Sequence, residues 1–173
     1  MHSIVTATIA KKLAMDFGLE KNGEAFIAGL LHDLGISVVH RFMHSDFVTM
    51  SDMIEKGSTF AEAEMEVLGM NHGAIGALLL NNWNIPELIT EIVSCHHSPQ
   101  DSKNSPVLSS VVHLADYMTQ QLQIGNLKMD TSIELSEFIF ETLHIKDLAN
   151  LGTFIDGYRE PLLAQMDSLK YLI

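Results

Sequence analysis

Hydrophobic residues recur along this 173-residue chain with the spacing of amphipathic helices rather than of strands. Ile4, Ile9, Leu13 and Phe17 lie near a 3.6-residue period, and Gly18 then predicts the end of a first helix. Valine and isoleucine nowhere alternate with polar residues over a sustained run. The pattern therefore predicts an all-α protein built as a helical bundle.

Glycine, proline and capping residues divide the rest of the chain into further helices. Helices are predicted over 25–31, 36–55, 59–82, 86–97 and 106–123, with two or three more helical segments in 132–144 and 146–170. Gly35 is predicted to be a C′ glycine, and Ser58 or Thr59 is predicted to cap the helix that follows. The composition of residues 98–105 predicts a loop.

Composition and charge exclude several classes of protein. A hydrophobic fraction of 47% excludes intrinsic disorder, and Cys95 as the single cysteine excludes a disulfide framework. The net charge of −12 argues against nucleic-acid binding through basic patches. Apolar stretches fall short of the roughly 18 residues of a membrane span, and no signal-peptide layout is present. We therefore expect a cytoplasmic protein that binds neither nucleic acid nor membrane.

Two adjacent pairs of polar residues, His32-Asp33 and His96-His97, each lie at the end of an apolar predicted helix. Neighbouring helical positions point about 100° apart, so both members of a pair reach one site only near a helix end. Each pair has a second interpretation. His32 could be a buried histidine hydrogen-bonded to its neighbour. His96 and His97 could simply be histidines at a helix C-terminus, where the helix dipole favours them.

Three further residues extend this set of candidate ligands. His2 and His72 lie on predicted helices, and Asp116 lies inside the apolar stretch VVHLADYM, where a carboxylate needs a partner. Imidazole and carboxylate together bind divalent ions such as Fe, Mn, Ni or Zn, and carboxylates also suit Mg. We expect one or two such ions, which would attract phosphate oxygens and acidify bound water.

The order of these residues resembles the HD superfamily of metal-dependent phosphohydrolases. More narrowly, the stretch EAEMEVLGMNHGAIGALLLNNWNIPELITEIVSCHHSP and the later LSSVVHLADYM are similar to HDOD signalling-output domains. The resemblance covers about residues 2–124. It implies an HD-like five-helix core, placed at 1–126. Residues 127–173 lie outside the resemblance, and we expect them to form a C-terminal helical extension that packs on that core as a cap or makes a dimer contact. Family members usually have a separate N-terminal helical half, so the chain could be a fragment or a shortened form.

The resemblance also implies roles for individual residues. His32, Asp33 and Asp116 match the HD signature and would hold a first metal with one further histidine. Four other histidines match ligands of the related HD-GYP branch of cyclic-di-GMP phosphodiesterases: His2, His72, His96 and His97. Catalysis would use Asp33 to bridge two metals and position water, and His72, His96 or His97 to protonate the leaving group.

Two departures from the HD-GYP pattern argue against hydrolysis of cyclic-di-GMP. Ile36 stands where that branch has a lysine, and no GYP motif follows His97. Three functions stay open: a bacterial signal-transduction domain that retains the metal site, an active phosphohydrolase on a phosphoester or nucleotide, and a metal-free helical scaffold. The expected partners are accordingly a phosphoester or nucleotide, a signalling protein, or a second copy of the chain.

The remaining polar candidates have plainer interpretations. His113 shares a helix face with Asp116 and could orient it, although a core or surface histidine is the simpler interpretation. One of the glutamates before His72 could reach the site across a turn or two. A solvated surface is the prediction for these residues: His40, His44, His144, Glu62, Glu64 and Glu66.

Overall fold

The protein is all-α in the computed structural model, which describes residues 1–125, 133–145 and 150–169. No strand occurs in these ranges, as the hydrophobic pattern predicted. The α helices in chain order are α1 (His2–Asp16), α2 (Asn22–Leu31), α3 (Leu34–Phe42), α4 (His44–Glu55), α5 (Phe60–Leu68), α6 (His72–Asn82), α7 (Glu87–Cys95), α8 (Pro106–Leu122), α9 (Phe138–Thr142), α10 (Leu151–Asp156) and α11 (Arg159–Leu169).

The predicted helix over 59–82 is two helices, because Gly69 adopts a φ of +70° after Leu68. Thr59 caps α5 as predicted: its hydroxyl accepts from the Glu62 N–H at 3.2 Å, and Glu62 accepts from the Thr59 N–H at 2.8 Å. Asn71 caps α6 by accepting from the Ala74 N–H at 2.8 Å. The change of direction at Gly69 lets α6 begin at His72.

The prediction for Gly35 was wrong, and so was that of one helix over 36–55. Gly35 lies inside α3, and the break falls at His32-Asp33 instead. A Cβ at Gly35 would overlap the His72 carbonyl, so glycine is needed here for close packing of α3 on α6 rather than for a turn. The chain bends again at Met43, which has non-helical torsion angles and separates α3 from α4.

Most of the hydrophobic core surrounds α8, which is buried along most of its length. Leu13 of α1, Ile92 of α7 and Leu114 of α8 are among the fully buried side chains of this cluster. A second, smaller cluster joins α3, α4 and α5 through Val39, Met50 and Phe60. Burial of each such side chain contributes roughly 1.5–3 kcal/mol, so both clusters fix the helices that carry the polar site.

The segments after α8 pack on the core where they are described. The Tyr158 hydroxyl donates a hydrogen bond to Asp16 at the end of α1, and the Arg159 guanidinium donates to the Leu122 carbonyl at 3.0 Å. The residues at the predicted boundary between core and extension, 126 and 127, lie outside the described residues. Within 98–105, predicted as a loop, Pro99–Asp101 form one turn of 3-10 helix.

One helical stretch, Asn22–Phe42, is long and apolar enough to pass a test for membrane-spanning helices. This finding concerns length and composition alone, and buried core helices of soluble proteins have the same two properties. This stretch comprises α2 and α3 and includes His32 and Asp33 at their junction.

Candidate metal centre

The ends of several helices and the middle of α8 bring the predicted ligands together. Their places in the fold are as follows: His2 begins α1, His32 and Asp33 join α2 to α3, His72 begins α6, His96 and His97 follow α7, and Asp116 lies within α8. All are buried except His97, which is partly buried. The adjacent pairs therefore lie at helix ends, where both side chains can face the same site.

Four of these residues form a first group, which we call the first pocket: His2, His32, Asp33 and Asp116. His2 Nε2 lies 3.2 Å from His32 Nε2, 3.3 Å from Asp33 Oδ2 and 3.0 Å from Asp116 Oδ1. His32 Nε2 lies 3.2 Å from Asp33 Oδ2 and 3.6 Å from Asp116 Oδ1. Two imidazoles and two carboxylates thus converge on one point.

A second group, which we call the second pocket, shares Asp33 with the first and also contains three histidines: His72, His96 and His97. His72 Nε2 lies 3.2 Å from His96 Nε2, 3.0 Å from His97 Nε2 and 3.3 Å from Asp33 Oδ1. Asp33 therefore directs Oδ2 to the first pocket and Oδ1 to the second. A carboxylate in that position can bridge two cations.

These distances fit shared cations. Nitrogen and oxygen atoms bound to one ion at about 2.1 Å lie roughly 3.0–3.4 Å from one another in octahedral or tetrahedral geometry. Asp33 Oδ1 and Asp116 Oδ1 are buried and accept no hydrogen bond of good geometry. His2 Nδ1 is also buried and has no hydrogen-bond partner. Buried carboxylate oxygens without such a donor are costly unless a cation compensates them, so the donor set fits divalent metals.

The outer nitrogens of three site histidines are held so that Nε2 points inward. His32 Nδ1 donates to the Gly29 carbonyl at 2.8 Å, and His96 Nδ1 donates to the Val93 carbonyl at 2.7 Å. His72 Nδ1 donates to the Glu64 carboxylate at 2.9 Å. Hydrogen bonds of this kind select the tautomer whose other nitrogen can bind a metal.

Opposite charges in the site shift the pKa values of its members. Burial alone would lower the pKa of His32, but Asp33 and Asp116 raise it well above 6.5. Burial would likewise lower the pKa of His72, whereas Asp33 and Glu64 raise it to about 10. Burial tends to raise the pKa of Asp33, but His32 lowers it well below its usual range. The site therefore favours positive charge beside these carboxylates.

Two histidines of the second pocket are shifted the other way. Burial and the neighbouring His97 lower the pKa of His96 well below 6.5. Burial and the charge of His72 lower the pKa of His97 to about 3. Both rings are therefore neutral at physiological pH, which is the form that binds a metal.

Glu64 departs from the sequence interpretation. It is 1% exposed rather than solvated, and it accepts hydrogen bonds from the backbone N–H and the ring Nδ1–H of His72. Phe60, Ala63 and Val67 occupy the same apolar face of α5, at helical spacing. A carboxylate on an apolar face was the signal that singled out Asp116, and it would have singled out Glu64 as well.

His113 is a buried histidine with both nitrogens satisfied, rather than a partner of Asp116. Its Nδ1 donates to the His96 carbonyl at 2.7 Å, and its Nε2 accepts from the Ser136 N–H at 3.0 Å. Burial lowers the pKa of His113, which keeps this neutral tautomer. The ring thereby supports the backbone of a site residue. His40 and His44 are exposed, as predicted, and their rings contact each other at 6.1 Å.

Comparison with known proteins gives the family. The family profile of the HDOD domain matches residues 1–99. The chain belongs to the HDOD family. This HDOD domain has the fold of an HDOD domain protein of unknown function from Geobacter sulfurreducens, with a TM-score of 0.71 and 22% identity over 98% of this chain and 58% of that one.

A second solved structure has the same fold. It is a Shewanella amazonensis protein provisionally described as a phosphohydrolase, with a TM-score of 0.67 and 23% identity over 90% of this chain and 57% of that one. The chain thus spans less than two thirds of the length of each of these structures. No curated protein matched it. The family match confirms the resemblance inferred from the sequence, and the structural matches confirm the fold.

Two cavities flank the centre of this HDOD domain. One, of about 360 Å³, reaches His2 and Asp33 and includes Ser3 and Ser37 in its lining. The other, of about 410 Å³, reaches His72 and His97. Neither lining includes lysine or arginine among the described residues. Any phosphate group in these cavities would therefore depend on bound cations for charge compensation.

Proposed function

We propose that this HDOD domain is a bacterial signal-transduction module that retains a centre for two divalent metal ions. The convergence of the two pockets on Asp33 is the observation that carries the proposal. Membership of the HDOD family supports the signalling role. The lack of basic side chains in the described cavity linings supports a module that does not depend on recognising a phosphorylated substrate.

The residues would divide the work of holding two ions. His32, Asp116 and His2 would hold one ion, and His72, His96 and His97 would hold the other. Asp33 would contact both through its two oxygens, which lie within 3.3 Å of ring nitrogens on either side. Fe, Mn, Ni and Zn suit this mixture of imidazole and carboxylate, and Mg suits its carboxylates.

Metal analysis of the purified protein tests this centre. After metal depletion and reloading with Mn, Fe or Ni, wild type should retain up to two ions per chain, and Asp33→Ala should lose them. His40→Ala is the matched control, because it removes an exposed histidine outside the centre. If wild type retained no more metal than Asp33→Ala, the proposal would be overturned.

Phosphohydrolase activity is a second candidate function, and the cavities beside the two pockets favour it. Bound divalent ions would supply Lewis-acid polarisation of a phosphoryl oxygen and activation of water. His97 is only partly buried and lines the larger of the two flanking cavities, so its ring would contact a substrate held there. The Asp33 carboxylate would orient the reacting groups between the pockets.

A substrate panel separates the two functions. Phosphodiesters, phosphomonoesters and nucleotides would be incubated with reloaded wild type, with Asp33→Ala and with His40→Ala. Turnover by wild type and His40→Ala that disappears in Asp33→Ala would establish an enzyme. Equal rates in all three proteins would identify contamination, and no turnover with retained metal would favour the signalling module.

A further inference from the structure

Glu64 is a buried acidic residue that neither the family match nor the ligand set explains. It is 1% exposed on α5, among the apolar residues of the smaller core cluster. A buried carboxylate is costly unless it is well hydrogen-bonded. The two neighbouring glutamates of the same stretch, Glu62 and Glu66, are exposed. A specific partner must therefore account for the burial of Glu64.

That partner is His72. Glu64 Oε1 accepts from the His72 backbone N–H at 3.0 Å and from the ring Nδ1–H at 2.9 Å, and Oε2 lies 3.1 Å from the same Nδ1. Glu64 thus binds both the first residue of α6 and its side chain. Because Glu64 holds Nδ1–H, the ring presents Nε2 to Asp33, His96 and His97.

Glu64 also balances the charge of the two pockets. The first pocket contains two carboxylates, Asp33 and Asp116, whereas the second contains Asp33 and three imidazoles. The Glu64 carboxylate is hydrogen-bonded to the far side of the His72 ring and so supplies a second negative charge to the second pocket without being a ligand itself. His32 and His96, by contrast, donate Nδ1 to backbone carbonyls, which carry no net charge.

We infer that Glu64 is a positioning residue that fixes the orientation and the tautomer of His72 at the second pocket. The inference rests on the proposed metal centre, because its effect is on the affinity of an ion held there. Loss of such a hydrogen-bonded partner typically weakens metal binding 10–100-fold. The first pocket, which has no contact with Glu64 among its ligands, should keep its affinity.

Titration of metal-depleted protein with Co²⁺ tests the inference, with calorimetry for affinity and visible absorption for coordination. Glu64→Gln keeps the size and one acceptor oxygen but removes the charge, and Glu64→Ala removes both. Glu66→Gln is the matched control on the exposed face of the same helix. Asp116→Asn and His97→Gln identify which binding event belongs to the first and second pocket.

The expected result is selective. Glu64→Gln should weaken the event that His97→Gln abolishes by about 10-fold, and Glu64→Ala should weaken it by up to about 100-fold. The other event and its absorption spectrum should match those of Glu66→Gln. A purely structural role would instead weaken both events alike.

Two results would overturn the inference, and they are distinguishable. If both events in Glu64→Gln and Glu64→Ala matched those of Glu66→Gln, Glu64 would have no positioning role while the metal centre stood. If wild type bound no Co²⁺ at either pocket, the proposed centre itself would fail and the inference with it.

Discussion

The two pockets share Asp33 but are built differently. The first depends on Asp116 in the middle of the buried helix α8, and it contains as many carboxylates as imidazoles. The second is formed by three histidines near helix ends and receives its extra charge indirectly, through Glu64. The comparison shows two ways to compensate a divalent ion inside an apolar bundle: direct carboxylate ligation, or a carboxylate that acts through an imidazole.

Removal of the shared residue should have the largest effect. Asp33→Asn keeps the volume of the side chain but removes the charge between the pockets, so we expect both ions to be lost. Metal content after reloading measures this, and His40→Ala provides the reference value. Retention of one full equivalent by Asp33→Asn would show that one pocket does not need the bridging carboxylate.

Variants that change a ligand of only one pocket should remove one ion and leave the other. Asp116→Asn should remove the ion of the first pocket and leave the second, whereas His97→Gln should do the reverse. Each variant is therefore expected to hold about half the metal of wild type. Loss of both ions in both variants would mean that the pockets fill only together, and the distinction drawn between them would then fail.

A methyl group added at Gly73 should disturb the second pocket more than the first. Its Cβ would lie 2.9 Å from the Val93 carbonyl and 3.3 Å from His96 Cε1. Gly73→Ala should destabilise the protein by about 1–3 kcal/mol and weaken the second binding event. Chemical denaturation and Co²⁺ titration would measure both effects.

Gly23→Ala is the control for that variant, since no atom lies within 4 Å of its added Cβ. It lies in α2, where alanine is favoured over glycine by up to about 1 kcal/mol. Its stability should therefore be equal to or above that of wild type. If Gly73→Ala behaved like Gly23→Ala, the close packing of α6 on α7 would not control the second pocket.

The pH dependence of metal binding should be similar in both pockets. His72 has a pKa of about 10 and His32 a pKa well above 6.5, so each carries a proton at neutral pH that an ion must displace. Affinity should therefore rise with pH from 6 to 8, by up to about 10-fold per unit for each ion. Calorimetry in buffers of different ionisation enthalpy should detect about one proton released per ion. An affinity independent of pH would contradict the protonation of His32 and His72 in the metal-free protein.

The sequence was sufficient to predict the bundle and to single out the side chains that lie together in the candidate site. The useful signals were the adjacent His-Asp and His-His pairs at the ends of apolar helices and the carboxylate inside VVHLADYM. The structure brings these side chains close together. The breaks at Met43 and Gly69 were harder, because apolar spacing continues across both and a single residue changes direction. Gly35 was misassigned because a glycine needed for close helix contact looks, in sequence, like one that ends a helix.

Glu64 shows the remaining limit of sequence reasoning. Its neighbours Glu62 and Glu66 are exposed, and the acidic run made all three look alike. Helical spacing relative to Phe60 distinguishes Glu64, but its partner His72 lies beyond a change of chain direction that the pattern did not predict. Recognising the contact required the three-dimensional path of the chain.

The ligands of the proposed centre are separated by more than a hundred positions along the chain, from His2 to Asp116. An unfolded chain cannot hold them at bonding distance, so ions that bind this centre would bind the native state in preference. Mass action then links cation supply to persistence of the fold: at a concentration 100 times the dissociation constant, one ion adds about 2.7 kcal/mol. Scarcity of the metal would consequently shorten the lifetime of the protein against proteolysis.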